Sequence, residues 1–274
     1  MLQEKKAIGV FDSGVGGLTV VRALRERLPR ENIVYFGDTA RVPYGTKSRN
    51  TIEQFSAQIV EFLLEQQVKI LVIACNTIAA VAGTKIRQMA GKMPVIDVIG
   101  AGAEAAIQAS TTGKIGVIAT STTVNSKAYP KAIEERKYLW QDKFSVCRVF
   151  SEACSVLVPL IEEGWLDNEV TRLALREYLP PLLNEKIDTL ILGCTHYPLI
   201  KPLLSEEAKG INLVDSSTTT AEAVYQVLKA ENLLNNQEEK PDYRFFVSDI
   251  PLRFRAIGEQ FLQFPLEQLE MISL

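Results

Sequence analysis

Two cysteines follow short apolar runs that are typical of buried strands. Cys75 comes after the run LVIA, and Cys194 comes after the run LILG, with Thr195 and His196 next. His196 is the only histidine in the chain. In an open parallel sheet, ligands bind beyond the carboxyl ends of the strands. The pattern therefore predicts that both thiols belong to one site.

The surroundings of the two cysteines predict acid–base chemistry at a carbon atom. Each thiol is expected just before a helix N-terminus, where unpaired N–H groups favour the thiolate and bind carboxylates. Asp12 can relay a proton near Cys75, and His196 can do so near Cys194. One thiolate would remove a proton from carbon while the other thiol delivers one to the opposite face. Such a pair inverts a stereocentre without a cofactor.

Other strand ends bring polar side chains to the same edge of the predicted sheets. The remaining cysteines, Cys147 within a strand run and Cys154 near a helix start, are interpreted as packing residues. Besides the residues named above, the strand ends supply Ser13, Asp38, Thr39, Pro43, Tyr44, Gly45, Asn76, Thr77, Thr120, Ser121, Thr122, Thr123 and Glu152.

Three other kinds of site have little support in the sequence. The segment DSGVGG at 12–17 lacks both the G-x-G-x-x-G spacing and the Gly-Lys-Ser/Thr ending of phosphate loops, so it predicts a carboxylate site or a tight turn. The chain has no C-x-x-C pair and a single histidine, which disfavours zinc. No lysine at a strand end suits a pyridoxal Schiff base. We therefore expect neither a metal nor a cofactor.

Strands and helices must alternate along the chain to position these residues. Near-continuous apolar runs are typical of parallel strands covered on both faces, and Leu18, Val21, Leu24 and Leu28 share one helix face. The sequence therefore predicts an α/β, doubly wound fold. The strand candidates are 7–12, 32–37, 69–74, 94–99, 114–119, 144–150, 188–193, 211–215 and 243–248.

The strands fall into two sets that repeat one pattern. IGVFDS at 8–13 aligns with IGVIAT at 115–120, and LVIACNT at 71–77 aligns with LILGCTH at 190–196. We expect two pseudo-symmetric α/β domains with mainly parallel central sheets and the site in the cleft between them. The first domain would comprise 1–98 plus 214–274, and the second 99–213. Asp167 and the run 217–220 are predicted helix caps, and 232–242 a surface loop.

Composition excludes several classes of protein. The 274 residues are 47% hydrophobic and 23% charged, which suffices for a large core, and the net charge of −3 is spread without basic clusters for nucleic acid. No apolar run approaches the ~20 residues of a membrane span, and the stretch MLQEKKAIGVFDS lacks the run of about 7–15 apolar residues typical of a signal sequence. We expect a cytoplasmic protein whose four cysteines are not a disulfide framework.

Five motifs in order along the chain resemble those of bacterial glutamate racemases, the cofactor-independent Asp/Glu racemase family. The resemblance implies interconversion of L- and D-glutamate, supply of D-glutamate for peptidoglycan synthesis, two pseudo-symmetric domains enclosing the substrate, and a homodimer. The motifs are VFDSGVGGLTV (10–20), YFGDTARVPYGTKS (35–48), LVIACNT (71–77), GVIATSTTV (116–124) and LGCTHYPLI (192–200).

The resemblance also implies roles for individual residues. Cys75 would take the α-proton of D-glutamate and Cys194 that of L-glutamate, assisted by Asp12 and His196. Asp38 and Glu152 are further acidic candidates. The residues that would hold the carboxylates and the amino group are Asp12, Ser13, Tyr44, Gly45, Asn76, Thr77, Thr120, Thr123, Thr195 and His196.

One departure from the family pattern and three rival functions stay open at this point. A glycine is expected before Thr123, but the chain has Thr122 there. The nearest rival is a two-cysteine racemase of aspartate or another acid. A cysteine hydrolase or lyase would use one thiol, and a binding protein for an acidic amino acid would use none. The stretch 249–274 carries no motif with a match.

Overall fold

The computed structural model describes residues 3–236, 238–250 and 254–274. Ten strands lie in this part of the chain, and every strand pairing is parallel. Their bounds are β1 Ile8–Asp12, β2 Ile33–Gly37, β3 Ile70–Ile73, β4 Val95–Asp97, β5 Lys114–Ala119, β6 Arg148–Ala153, β7 Thr189–Gly193, β8 Asn212–Asp215, β9 Tyr243–Val247 and β10 Leu269–Met271.

Helices connect the strands, and no helix within the described ranges has the length and apolar character needed to cross a membrane. Short 3-10 helices occur at Gln3–Lys5, Thr39–Arg41, Tyr44–Thr46, Lys137–Leu139 and Tyr197–Ile200. The α-helices are α1 Leu18–Arg27, α2 Arg49–Glu65, α3 Asn76–Ala90, α4 Val98–Ala109, α5 Ser121–Asn125, α6 Ala128–Glu135, α7 Leu157–Glu162, α8 Glu169–Tyr178, α9 Pro180–Asn184, α10 Lys201–Glu207, α11 Ser216–Ala230 and α12 Phe254–Leu262.

The strands form two sheets in which the same order occurs twice. The first sheet has the order β10-β9-β2-β1-β3-β4, and the second has β6-β5-β7-β8. The order β2-β1-β3-β4 in the first sheet therefore corresponds to β6-β5-β7-β8 in the second, with β1 equivalent to β5 and β3 equivalent to β7. We call the first sheet with its helices the first half and the second sheet with its helices the second half. The predicted α/β fold with two mainly parallel sheets is confirmed.

Apolar burial explains why these segments form inner strands. All residues of β1, β2, β3 and β7 are buried, as strands covered by helices on both faces must be. The two halves join where β4 leads into α4 and where β8 leads into α11, and α4 packs against α11. After α11 the chain returns to the first sheet, where β9 pairs with β2.

Several predicted boundaries differ from the structure. The strand predicted at 144–150 is β6, which begins only at Arg148, because 144–147 are irregular and follow a turn at 140–143. Cys147 therefore precedes the strand. Asn168, not Asp167, caps α8, since its side chain accepts the Val170 amide.

Two further predictions concern the C-terminal third of the chain. The carboxylate of Asp215 accepts the amides of Ser217 and Thr218, so Asp215 is the cap of α11 and the run 217–220 is its first turn. The short strand β10 has no apolar run to reveal it, because two of its three residues are exposed.

Candidate active site

The first cysteine lies where β3 meets α3, opposite the end of β1. Cys75 is the N-cap residue of α3, and its Sγ lies 3.4 Å from Ser13 Oγ. Asp12 ends β1 and is buried, with its Oδ2 accepting the Gly14 amide at 3.1 Å. Its Oδ1 has no hydrogen-bond partner among the described residues. This wall thus combines a thiol, a hydroxyl and a carboxylate with one free acceptor.

The second cysteine lies just after β7, at a turn that the sequence did not predict. The residues after Cys194 form a turn and a 3-10 helix, and α10 begins only at Lys201, so Cys194 does not directly precede an α-helix. Cys194 Sγ lies 3.8 Å from His196 Nδ1, and His196 Nε2 lies 2.9 Å from Glu162 Oε1. A thiol, an imidazole and a carboxylate therefore form a chain of contacts on this wall.

The acidities on the first wall are set mainly by burial. Burial raises the pKa of Asp12 above its ordinary value, with His196 and the Gly17 and Gly14 amides opposing it. Burial also raises the pKa of Cys75 to about 12, and the nearby Asp12 carboxylate adds to this rise. The Ile78 amide at the N-terminus of α3 lowers the pKa of this thiol as predicted, but burial outweighs it, so the predicted net fall in the pKa is wrong. A cationic group near Cys75 would be needed to favour the thiolate.

On the second wall, the group beside the thiol carries a positive charge. Burial alone would lower the pKa of His196, but its contacts with Cys194 and Glu162 outweigh burial and raise the pKa to about 10. His196 is therefore an imidazolium at neutral pH, and its positive charge lies beside Cys194 Sγ. The two thiols thus have acid–base partners of different kinds.

Both cysteines line one cavity of about 420 Å³ between the two halves. The cavity brings together all predicted site residues except Thr123, whose hydroxyl instead lies 3.2 Å from Thr120 Oγ1 and whose side chain is buried. The lining residues are Asp12, Ser13, Gly14, Val15, Val42, Pro43, Tyr44, Gly45, Cys75, Asn76, Thr77, Thr120, Val158, Pro159, Glu162, Cys194, Thr195 and His196.

The two further acidic candidates lie outside this lining. Asp38 is buried and accepts hydrogen bonds from the Tyr44 hydroxyl, from Arg41 Nε and from Ser248 Oγ, so it fixes the loop that carries Tyr44. Glu152 lies in β6, where its backbone carbonyl accepts a weak hydrogen bond from Cys154 Sγ at 3.7 Å. Asp38 therefore contacts the lining residue Tyr44 but does not line the cavity itself.

Sequence reasoning missed Glu162. This residue is the last of α7, a helix that lies beside the cavity, and no strand-end rule reaches it. The sequence around it offers only a pair of adjacent glutamates, which is common on a solvated helix face. Only the packing of α7 against the turn after β7 reveals its contact with His196.

One glycine of the segment 12–17 allows a close approach between the halves. A Cβ on Gly16 would collide with Thr195 Oγ1 and would lie 2.6 Å from His196 Nδ1. The neighbouring Thr19 Oγ1 donates to the Thr195 carbonyl at 2.9 Å. This explains the segment without a phosphate ligand, because a side chain at Gly16 would push the second cysteine motif away.

Comparisons with known proteins agree with this geometry. A family model described as Asp/Glu/Hydantoin racemase matches residues 9–224. A glutamate racemase of Neisseria meningitidis serogroup C is 63% identical over 270 residues, which are 98% of this chain and 97% of that protein. A glutamate racemase of Syntrophus aciditrophicus is 55% identical over 99% of this chain and 98% of its own.

A solved structure of a glutamate racemase is also similar to this chain in its fold. The crystal structure of glutamate racemase from Francisella tularensis subsp. tularensis SCHU S4 in complex with D-glutamate has a TM-score of 0.90 and 44% identity, covering 98% of both chains. The resemblance inferred from the five motifs is thereby confirmed. The chain belongs to the glutamate racemase family, within the Asp/Glu/hydantoin racemases, and is an isomerase.

Proposed function

We propose that this chain interconverts L- and D-glutamate by proton transfer between two thiols and the α-carbon. The observation that carries the proposal is that Cys75 and Cys194 come from different halves and line one cavity, each with its own acid–base partner. The glutamate racemases among its relatives and the D-glutamate complex of one of them support glutamate as the substrate.

The polar groups of the cavity suit an amino acid. Asp12 Oδ1 is a buried acceptor and Asn76 Nδ2 a buried donor, and neither has a hydrogen-bond partner among the described residues. A buried polar atom without a partner is costly, so each is suited to a ligand. The acceptor matches an ammonium group and the donor matches a carboxylate. Hydroxyls of Ser13, Thr120 and other lining residues add further donors.

The proposed reaction balances over one turnover. With D-glutamate, the Cys75 thiolate takes the α-proton, the electron pair stays on the α-carbon, and the Cys194 thiol then delivers its own proton to the opposite face. Cys75 ends as the thiol and Cys194 as the thiolate, which is the starting state for L-glutamate. The ammonium of the substrate would lower the pKa of Cys75, and fixed donors on the carboxylate would stabilise the carbanion.

The decisive experiment follows the α-proton by NMR. Protein is incubated in D2O with L-glutamate or with D-glutamate, without added cofactor, and Cys75→Ser and Cys194→Ser are compared with the wild type. We expect deuterium at the α-carbon with inversion in the wild type and a loss of racemisation of about 10³-fold or more in both variants. Cys147→Ser is the control, because Cys147 does not line the cavity.

The same experiment separates the rival functions. Absence of α-exchange with both glutamate isomers would refute the glutamate assignment, and aspartate would be tried next. Activity that survives Cys75→Ser would favour a hydrolase or lyase with one nucleophile. Tight glutamate binding without exchange would favour a binding protein.

We further propose the setting in which the protein works. It would act without a cofactor, without nucleic acid or membrane, as a cytoplasmic homodimer that supplies D-glutamate for peptidoglycan synthesis. The domains 1–98 with 214–274 and 99–213, which match the two halves except that one boundary falls within β8, would close over the substrate. Motif resemblance supports these points, and light scattering of the purified protein tests the dimer.

A further inference from the structure

A buried tyrosine of the second half forms a hydrogen bond with a cavity residue of the first half. Tyr129 lies on α6 and is only 2% exposed. Its hydroxyl donates to Asn76 Oδ1 at 2.7 Å, and Asn76 is the residue directly after Cys75, at the start of α3. This contact joins the second half to the first cysteine motif.

The hydrogen bond decides which end of the Asn76 amide is left for a ligand. A carboxamide has one acceptor oxygen and a nitrogen with two donor hydrogens. Tyr129 occupies the oxygen, so the nitrogen is the end that has no partner among the described residues. Without the tyrosine hydroxyl, a half-turn of the amide could exchange the two ends and offer an oxygen instead.

The ring of the same tyrosine abuts the second cysteine motif. A Cβ on Gly193, the residue before Cys194, would lie 3.0 Å from Tyr129 Cε2. A Cβ on Gly102 of α4 would lie 3.4 Å from Tyr129 Cε1. One side chain therefore touches the residue after Cys75 and the residue before Cys194.

The hydroxyl of Tyr129 stays protonated and so remains a donor. Burial raises the pKa of Tyr129 well above its ordinary value, and the nearby Asp97 and Cys194 raise it further. A neutral phenol donates one hydrogen bond, and Asn76 Oδ1 is the acceptor that receives it.

We infer that Tyr129 is a positioning residue that holds the Asn76 amide with its N–H groups available to a carboxylate of the substrate. The inference rests on the proposed function, because it requires an amino-acid substrate in the cavity. Tyr129 touches no reacting atom and acts through Asn76.

The test compares steady-state kinetics of Tyr129→Phe with those of the wild type, for both enantiomers. The variant keeps the ring against Gly193 and removes only the hydroxyl. We expect KM for L- and for D-glutamate to rise about tenfold, as for loss of one buried hydrogen bond, with kcat changed by less than about threefold. Tyr197→Phe is the matched control, because it removes another buried hydroxyl, which donates to the Cys154 carbonyl at 2.8 Å.

A double-mutant cycle with Asn76→Ala separates positioning from general packing. If Tyr129 acts through Asn76, the double variant has the same KM as Asn76→Ala alone. A further rise in the double variant, or a KM of Tyr129→Phe within twofold of the wild type, would overturn the inference. Either result would leave the proposed function intact as long as the wild type racemises glutamate.

A measurement on the wild type covers the case in which Tyr129→Phe does not fold. The side-chain ¹⁵N amide signal of Asn76, assigned by its loss in Asn76→Ala, should shift when D-glutamate is added. An unshifted signal at saturating D-glutamate would overturn the inference. Absence of any D-glutamate binding or racemisation by the wild type would instead overturn the proposed function.

Discussion

At the scale of residues, the two thiols have partners of opposite charge. Cys75 lies near the buried carboxyl of Asp12, whereas Cys194 lies near the His196 imidazolium that Glu162 supports. Enantiomers have equal free energy in water, so kcat/KM must be equal in both directions for any variant of a racemase. The different partners can therefore affect kcat and KM separately for each direction, but any change in kcat/KM must be the same for both directions.

The contact between Glu162 and His196 predicts a pH effect. In Glu162→Gln the imidazolium loses its carboxylate partner, so the pKa of His196 falls below its value of about 10. Since Glu162 is partly exposed, the alkaline limb of kcat/KM should move to lower pH by roughly one unit. The pH–rate profile of the variant measures this shift.

Glu163→Gln is the control for this prediction, because it removes a carboxylate from the same stretch of chain at a position that does not line the cavity. An alkaline limb that coincides in Glu162→Gln, Glu163→Gln and the wild type would show that Glu162 does not support the imidazolium.

Single residues were predictable from sequence where a strand end delivers them. Cys75 and Cys194 follow apolar runs, and both line the cavity as the strand-end rule requires. Glu162 was not predictable, because a residue at a helix end enters a site only through tertiary packing. The raised pKa of Cys75 was missed for the same reason, since burial is a property of the folded chain.

At the scale of elements, the turn between β1 and α1 is fixed by its contact with the other half. Gly16→Ala would push Thr195 and His196 away, so we expect a loss of activity of about 10²-fold and a loss of stability of about 1–3 kcal/mol. Racemisation rates and urea unfolding measure the two effects.

Gly83→Ala is the matched control for Gly16→Ala. Gly83 lies within α3, and a Cβ there would meet no atom within 4 Å. This variant should keep full activity and gain about 0.5–1 kcal/mol, because alanine favours the helix. Equal activities of the two variants would contradict the role assigned to Gly16.

The loop before β5 depends on one carboxylate. Asp188 accepts hydrogen bonds from Ser110 Oγ at 2.7 Å, the Thr111 amide at 2.8 Å and the Thr112 amide at 2.7 Å. Burial alone would raise the pKa of Asp188, but these hydrogen bonds outweigh burial and hold it well below its usual range.

Asp188→Asn should therefore destabilise the protein in a pH-dependent way. At pH 7 we expect a loss of about 1–2 kcal/mol, at the lower end for bonds to a charged group because solvent screens this site. A lowered folded-state pKa gives stability that is present above the unfolded pKa of about 3.9 and is lost as pH falls below it.

Urea unfolding at pH 7 and at pH 3 measures this dependence, and the difference from wild type should shrink at the lower pH. Asp142→Asn is the control, since Asp142 is exposed. A constant difference at both pH values would contradict the assignment to the Asp188 carboxylate.

Elements with continuous apolar runs were predictable, and elements at the edges of the sheets were less so. The inner strands β1, β3, β5 and β7 lie within one residue of their predicted bounds. The edge strand β6 starts later than predicted, and β10 was missed, because a half-exposed strand has no continuous apolar run. Periodicity reports burial, and burial is weakest at an edge.

At the scale of the whole molecule, hydrogen bonds cross the cleft between the halves. Thr122 Oγ1 donates to the Gly45 carbonyl at 2.5 Å, and Thr77 Oγ1 lies 3.2 Å from Thr120 Oγ1. Thr122 stands where the motif resemblance predicts a glycine, and its hydroxyl makes a contact across the cleft that a glycine could not make.

Loss of the Thr122 contact should make the cavity easier to open. In Thr122→Val we expect iodoacetamide to alkylate Cys75 and Cys194 about fivefold faster, as for loss of one hydrogen bond that holds the closed state. Mass spectrometry of the alkylated peptides measures both rates. Thr122→Ser keeps the hydroxyl and should react at the wild-type rate, whereas equal rates in all three proteins would contradict a closing role.

The C-terminal region has a role that no motif revealed. Phe261 of α12 packs edge-on against His196, with ring centroids 5.2 Å apart, and β10 extends the first sheet beside β9. Neither contact could be predicted from sequence, because each depends on how the returning chain docks on the first half.

The repeated strand order has a consequence for chirality. Two copies of a chain of L-amino acids can be related by rotation but never by reflection, whereas the two enantiomers of a substrate are mirror images. Duplicating the strand order can therefore duplicate the proton donor, as Cys75 and Cys194 illustrate. It cannot duplicate the contacts that bind the other three substituents of the α-carbon. One set of contacts must hold these substituents for both enantiomers. An enzyme whose substrate and product are mirror images therefore needs an asymmetric cavity.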